Sequence, residues 1–209
     1  MSPANTIRGL YVIADTEVIA DDLVTAVTEA IAGGAGVVQY RDKDGDHARR
    51  LREASALREL CQRNGIPFIV NDDVELAQQA GADGVHLGKN DATIESVRAR
   101  LGKHSIIGIS CYNEFERAVH AVTAGADYIA FGSFYSSLVK PDAVRASETL
   151  LAQARQEFSL PVVAIGGITP ENGARLVRAG ADALAVITGI FGATDIRSAA
   201  ENYAALFTH

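Results

Sequence analysis

Three cationic side chains, Arg41, Lys43 and Lys140, lie at or beyond the ends of apolar runs in the sequence. Arg41 and Lys43 alternate, so an extended backbone would turn both to the same side. Arginine binds phosphate oxygens through paired hydrogen bonds and lysine acts as a mobile point charge, which predicts a site for phosphate-sized anions. The alternative is a solvated rim of ion pairs with nearby carboxylates. Those carboxylates are Asp42, Asp73 and Asp142.

Two carboxylates, Asp72 and Asp91, follow neighbouring apolar runs. Two carboxylates, completed by water and ligand phosphates, are a usual way of holding Mg²⁺, which keeps much of its hydration shell. The same pair could instead serve as general acid and base, or cap two helices. The spacing therefore predicts a magnesium site but leaves these two alternatives open.

A pair of glycines, Gly166 and Gly167, separates an apolar run from Pro170, which is typical of the first turn of a helix. Bare backbone N–H groups at such a point can approach a phosphate. The segment Ile187-Thr188-Gly189 offers a similar loop after the next apolar run. These loops predict a phosphate site, and the alternative is that the glycines only tighten a turn.

Other reactive side chains are interpreted as structural. His86 lies within an apolar run and is expected to be a hydrogen-bonded core histidine rather than a catalyst. Cys61 and Cys111 lack the spacing of metal ligands, which predicts two buried thiols and a reducing, cytoplasmic location.

A recurring sequence motif, called the glycine phrase below, indicates which strands and helices position these residues. Gly-Ala, in most copies followed by Asp, precedes an apolar run at residues 34–38, 81–85, 125–129 and 180–184. A glycine just past a helix supplies a positive φ, and the apolar run that follows predicts a buried strand. Each copy therefore marks a passage from helix to strand.

Four more apolar runs lie before and between these copies, at residues 9–14, 67–70, 105–109 and 161–165, making eight predicted strands. Helical patterns separate them, at residues 46–63, 94–101, 114–124 and 170–179 among others. Eight strand–helix units predict one α/β domain over residues 1–209, a closed (β/α)8 TIM barrel. An open doubly wound sheet is the alternative.

Composition excludes several classes of protein. The chain has 209 residues, 48% of them hydrophobic, and a formal net charge of −7 without a basic run. A general nucleic-acid binder is therefore not expected, and neither is a membrane protein, because no apolar run approaches 18 residues. The N-terminus does not resemble a secretion signal. A homo-oligomer is compatible with the sequence.

In their order along the chain, these motifs resemble the thiamine phosphate synthase family. They are GLYVIAD at 9–15, QYRDK at 39–43, ND at 71–72, HLGKND at 86–91, GIS at 108–110, KP at 140–141, AIGGI at 164–168 and IT at 187–188. The resemblance implies a (β/α)8 barrel that joins a pyrimidine diphosphate to a thiazole phosphate, or to its carboxylate. The products would be thiamine phosphate and pyrophosphate.

Matching positions carry roles that the resemblance implies. The residues expected to bind the pyrimidine diphosphate are Gln39, Arg41, Lys43, Asn71, Ser110 and Lys140. Among them, Arg41, Lys43, Ser110 and Lys140 would act on the departing pyrophosphate, with Ser110 adding a hydrogen bond. Asp72 and Asp91 would hold Mg²⁺. The residues expected to bind the thiazole phosphate are Ser137, Val139, Gly167, Ile187 and Thr188.

Two positions depart from the family pattern. Val139 stands where a hydroxyl is usual, leaving its backbone to contribute, and Lys89 replaces a glutamine. Two other functions remain open. A thiazole tautomerase of the same superfamily would move a proton with a histidine, and a phosphate-metabolite binding barrel would bind without turnover.

Overall fold

The computed structural model describes residues 7–19, 22–136 and 144–208. Eight parallel strands pair in chain order, and β1 also pairs with β8, so the sheet closes into a barrel. The strands are β1 Gly9–Asp15, β2 Ala35–Arg41, β3 Phe68–Asn71, β4 Gly84–Leu87, β5 Ile106–Tyr112, β6 Tyr128–Phe131, β7 Val162–Ile165 and β8 Ala183–Val186. The predicted (β/α)8 barrel is confirmed.

Helices alternate with the strands and cover the outside of the barrel. They are α1 Leu23–Ala32, α2 His47–Asn64, α3 Val74–Ala80, α4 Ile94–Leu101, α5 Phe115–Thr123, α6 Glu148–Glu157, α7 Pro170–Arg178, α8 Thr188–Phe191 and α9 Ile196–Ala204. A 3₁₀ turn, Ala205–Phe207, follows α9. Among the described residues, no helix combines the length and apolar character that crossing a membrane requires.

The recurring glycine phrase has the predicted conformation. Gly34, Gly81, Gly125 and Gly180 all adopt positive φ, between 66° and 112°, at the junction between a helix and the next strand. This region of φ is costly for residues with a Cβ, so the glycines permit the chain to leave each helix sharply. The phrase therefore sets where four of the strands begin.

The core has two parts. A large cluster lies between the strands and the surrounding helices, and a smaller one fills the interior of the barrel. The interior cluster includes Tyr11 and Tyr128, which are 1% and 0% exposed. Cys61 and Cys111 are buried and free, as predicted. Packed side chains inside the barrel leave room for ligands only where the strands end.

Candidate active site

A cavity of about 620 Å³ opens at the ends of the strands, within the range typical of small-molecule sites. Seven of the residues predicted from sequence line it. They are Gln39, Arg41, Asn71, Ser110, Gly167, Ile187 and Thr188. Lys43, Asp72 and Asp91 do not line the cavity itself. The structure thus brings together residues from five strand ends, as the barrel prediction requires.

Asp72 and Asp91 lie together beside this cavity. Partial removal from water, followed by the hydrogen bond and the negative charge of Asp91, raises the pKa of Asp72 from 3.8 to about 6. Lys43 acts in the opposite direction and lowers the pKa, which places its charge near Asp72. Two carboxyl groups that resist simultaneous ionisation form a site where a cation would relieve repulsion.

Local backbone conformation holds both carboxylates. Asp72 adopts a left-handed conformation with φ of 61°, and its N–H donates to the carbonyl of His86 at 2.9 Å. Asp91 accepts a hydrogen bond of 2.5 Å from the N–H of Gly88. Neither carboxylate caps a helix in the described structure, because α3 and α4 are capped by Asp73 and Thr93. The helix-cap alternative is therefore wrong.

The donor set suits Mg²⁺ but is small. Among the described ranges, no group of three or more His, Cys, Asp and Glu side chains is arranged to hold a metal ion. Two carboxylates whose mutual repulsion raises a pKa fit a cation whose other ligands are water and ligand phosphate. The residues present therefore fit a magnesium ion that arrives with an anionic substrate.

Arg41 is buried and paired with Asp15, its direct neighbour in the register between β1 and β2. The same nitrogen, Nη1, lies 3.8 Å from a carboxylate oxygen of Glu17. The alternative prediction, a rim of ion pairs with Asp42, Asp73 and Asp142, is wrong for Arg41. Asp42 and Asp73 pair instead with Arg49 and Arg50 of α2. Asp142 lies outside the described residues.

A chain of hydrogen bonds crosses the inside of the barrel between Asp72 and Ser110. Its links measure 2.7–2.9 Å and join side chains of six strands, β1 to β6, and of Asp72, which follows β3. The members, in order, are Asp72, Asn71, Gln39, Tyr11, Tyr128, His86 and Ser110. His86 is thus hydrogen-bonded as predicted, but it also lines the cavity.

On the opposite side of the cavity, Gly166 and Gly167 adopt φ of 104° and 61°. A Cβ on Gly167 would lie 2.2 Å from the carbonyl oxygen of Ser136, so a larger residue would displace one of the two loops. Thr188 and Gly189, which begin α8, line the cavity beside them. Exposed backbone next to glycines is a suitable environment for a phosphate.

Three predicted residues, Ser137, Val139 and Lys140, lie outside the described residues, so their roles remain predictions. Ser133 and Ser136, which precede them, line the cavity. The chain therefore reaches the cavity from the loop after β6, at the side occupied by Gly166 and Gly167.

Sequence reasoning missed several residues. Tyr11 and Tyr128 line the cavity although each lies in an apolar run. Gly108 offered a signal, since glycine within a strand often marks a close approach. Arg117 donates to the carbonyls of Ser110 and Gly88 at 2.6 and 3.0 Å. It therefore connects β5 to the loop after β4, a role that its sequence context does not indicate.

Comparison with known proteins agrees with this arrangement. Residues 10–190 match the family model described as thiamine monophosphate synthase. The chain is 51% identical to the thiamine-phosphate synthase of Nitrosococcus oceani, over 96% of this chain and 93% of that protein. The corresponding protein of Thiobacillus denitrificans is 52% identical, over 95% and 94%.

A solved structure supports the same relationship. The thiamine phosphate pyrophosphorylase from Pyrococcus furiosus is 33% identical, with a TM-score of 0.87 over 97% of this chain and 96% of that one. The residues matched by the family model, 10–190, include strands β2 to β8 and all of β1 except Gly9. The chain therefore belongs to the thiamine monophosphate synthase family and is an enzyme of the transferase class.

Proposed function

We propose that this enzyme joins 4-amino-2-methyl-5-hydroxymethylpyrimidine diphosphate to a thiazole phosphate, forming thiamine phosphate and pyrophosphate. The observation that carries the proposal is a cavity with an acidic pair and cations beside one of its sides and glycine loops lining the other. The two sides suit two differently held phosphate groups. A relationship to named synthases supports the same reaction.

On the acidic side, Asp72 and Asp91 would hold Mg²⁺, which when bound would neutralise charge on the diphosphate. Arg41 is already oriented by Asp15, and Lys43 lies near enough to influence the pKa of Asp72. Lys140 is expected to add a third cation. These groups would stabilise negative charge as pyrophosphate departs, which is the main demand of a dissociative displacement.

The displacement balances without a protein nucleophile. The bond between the pyrimidine methylene carbon and the bridging oxygen breaks, and its electron pair leaves with pyrophosphate. The thiazole nitrogen then donates its lone pair to the carbon, forming the new C–N bond. The enzyme's remaining task is to hold both partners close, with the thiazole phosphate against Gly167 and Thr188. Both thiols are buried, and burial raises the pKa of each to about 12, so neither is suited to nucleophilic attack.

Purified protein tests the proposal directly. It should convert the pyrimidine diphosphate and thiazole phosphate into thiamine phosphate and pyrophosphate in equal amounts, and chelation with EDTA should stop both. A tautomerase would isomerise a thiazole phosphate without consuming the diphosphate, and a binding barrel would turn over neither. Either of those results would overturn the synthase assignment.

A further inference from the structure

We propose that Tyr11, Tyr128 and His86 are positioning residues that carry the hydrogen-bond direction established by Asp72, Asn71 and Gln39 through to Ser110. We call these three residues the tyrosine–histidine chain. For its bearing on catalysis this inference rests on the proposed function. The direction of the hydrogen bonds does not, because it follows from which atoms in the network can donate and which can accept. The consequence is that Ser110 turns its lone pairs, rather than its proton, toward the cavity.

The direction is set first at Asp72. The amide nitrogen of Asn71, Nδ2, donates to a carboxyl oxygen of Asp72 at 2.7 Å. The carbonyl oxygen of Asn71 then faces Gln39 and accepts from Nε2 of that residue at 2.7 Å. The carbonyl oxygen of Gln39 is left facing Tyr11. Each amide thus has one orientation that satisfies both neighbours.

The two phenols transmit this direction. Tyr11 has a single hydroxyl proton, which it donates to the carbonyl of Gln39 at 2.8 Å. In the contact of 2.9 Å between the two hydroxyls, Tyr128 must therefore be the donor. Its own proton is then committed, so the 2.9 Å contact with His86 requires Nδ1 to carry the hydrogen. Burial raises the pKa of both phenols, so both stay protonated.

The series of hydrogen bonds ends at Ser110. A neutral imidazole that is protonated on Nδ1 has an acceptor at Nε2, and Nε2 lies 2.8 Å from the hydroxyl oxygen of Ser110. The serine therefore donates its proton to His86. Its lone pairs remain available to the cavity, which it lines. Ser110 is then suited to accept from an N–H group of the pyrimidine, such as its amino group, and not to donate to departing pyrophosphate.

The packing of the barrel interior holds the tyrosine–histidine chain in place. Gly108 on β5 lies between His86 on β4 and Tyr128 on β6 in the strand register. A Cβ there would lie 1.9 Å from Cζ of Tyr128, so only glycine allows that ring to occupy the space. The rings of His86 and Tyr128 stack with centroids 5.5 Å apart. Since the two tyrosines are at most 1% exposed, solvent does not replace either partner.

The tautomer of His86 tests the inference without any substrate. Long-range ¹H–¹⁵N NMR on the full chain at slightly alkaline pH distinguishes a proton on Nδ1 from one on Nε2, and His86→Asn identifies the signal. We expect Nδ1–H in the wild type. A wild type protonated mainly on Nε2 would overturn the proposed direction. This outcome is independent of catalysis, so it can fail while the synthase assay succeeds, and the reverse.

A matched pair of variants then tests whether the hydroxyl of Tyr11 determines the tautomer of His86. Tyr11→Phe removes the hydroxyl that joins Gln39 to Tyr128, so the tautomer should shift toward Nε2–H. Tyr40→Phe is the control, because Tyr40 is an equally buried tyrosine whose hydroxyl bonds Glu53 instead. It should leave the Nδ1–H signal unchanged. An unaltered tautomer in Tyr11→Phe would show that His86 is set locally and would overturn the inference.

Kinetics separate positioning from simple structural support. Tyr11→Phe should raise KM for the pyrimidine diphosphate roughly tenfold, since Gln39 and Ser110 lose their fixed orientation. KM for the thiazole phosphate, which binds on the other side, should stay within about twofold. An equal rise in both KM values would indicate general damage to the barrel and contradict a positioning role.

Discussion

Replacing Asp91 with Asn should stabilise the metal-free protein and abolish its response to Mg²⁺. In the wild type, the pKa of Asp72 rises from 3.8 to about 6, through lost hydration first and Asp91 second. The whole displacement bounds the effect at about 3 kcal/mol. Because the carboxyl is partly exposed and Asp91 causes only part of the shift, its share is roughly 0.5–1 kcal/mol. Asparagine keeps an acceptor for the N–H of Gly88.

The gain should depend on pH in a defined direction. Asp72 binds its proton more tightly in the folded state, so its contribution to stability is complete below pH 3.8 and is lost as pH rises through about 6. Asp91→Asn should reduce the loss of folding stability that accompanies ionisation of Asp72. The difference in unfolding free energy between variant and wild type should therefore be small in acid and reach its full value above about pH 7.

Urea unfolding across this pH range, in EDTA, measures the difference, and a thermal-shift titration with MgCl₂ measures metal binding. Asp44→Asn, which removes an exposed carboxylate in the loop after β2, serves as the control for net charge. The reasoning is refuted if Asp91→Asn is no more stable than this control at any pH. It is refuted equally if Mg²⁺ stabilises Asp91→Asn as much as the wild type.

Substitutions at four further positions have distinct expected outcomes. Asp72→Asn should lose the thermal response to Mg²⁺ at little cost in stability, whereas Asp72→Ala should also unfold about 1 kcal/mol more easily in urea, because Ala tolerates a left-handed backbone poorly. Lys140→Ala should lower kcat by roughly 100-fold with an unchanged melting temperature, and a near-normal rate would exclude it from charge stabilisation. Asp15→Asn removes the buried counter-charge of the Arg41 guanidinium and leaves the more distant, exposed Glu17, so it should reduce the unfolding free energy by about 3 kcal/mol in urea, a loss that Asp44→Asn should not reproduce. Gly167→Ala should raise KM for the thiazole phosphate roughly tenfold, while Gly65→Ala, with a similar φ of 68° and open space around its Cβ, should not change either KM.

The fold was predictable because its signals are local. A glycine with positive φ followed by an apolar run marks the beginning of four strands, and eight apolar runs with helices between them leave few arrangements. Gln39, Asn71 and Ser110 were predictable for the same reason. Each is a polar residue at the end of a buried strand, and in a parallel barrel all such ends meet at one face.

The contacts within the site were less predictable because they depend on strand register. Asp15 and Arg41 are separated by 26 positions, and only the pairing of β1 with β2 places them side by side. Tyr11 and Tyr128 resemble packing residues in sequence. They can be assigned to the barrel interior only when it is known which alternate residues of each strand face inward. The register of a closed barrel is a property of all eight strands together, which no single motif contains.

The charge balance of the cavity explains how a chain with a net charge of −7 can be suited to anionic ligands. Arg41 is compensated by Asp15 before any ligand arrives, so the guanidinium is oriented without leaving a buried charge unopposed. The glycine loops around Gly167 use backbone dipoles and carry no net charge. A bound cation would relieve the repulsion between Asp72 and Asp91, which in the proposed function would couple the acidic side to a metal-bearing diphosphate. In the proposed function, the two sides of the cavity would therefore distinguish the two substrates in different ways, by a bound cation on one side and by neutral backbone donors on the other.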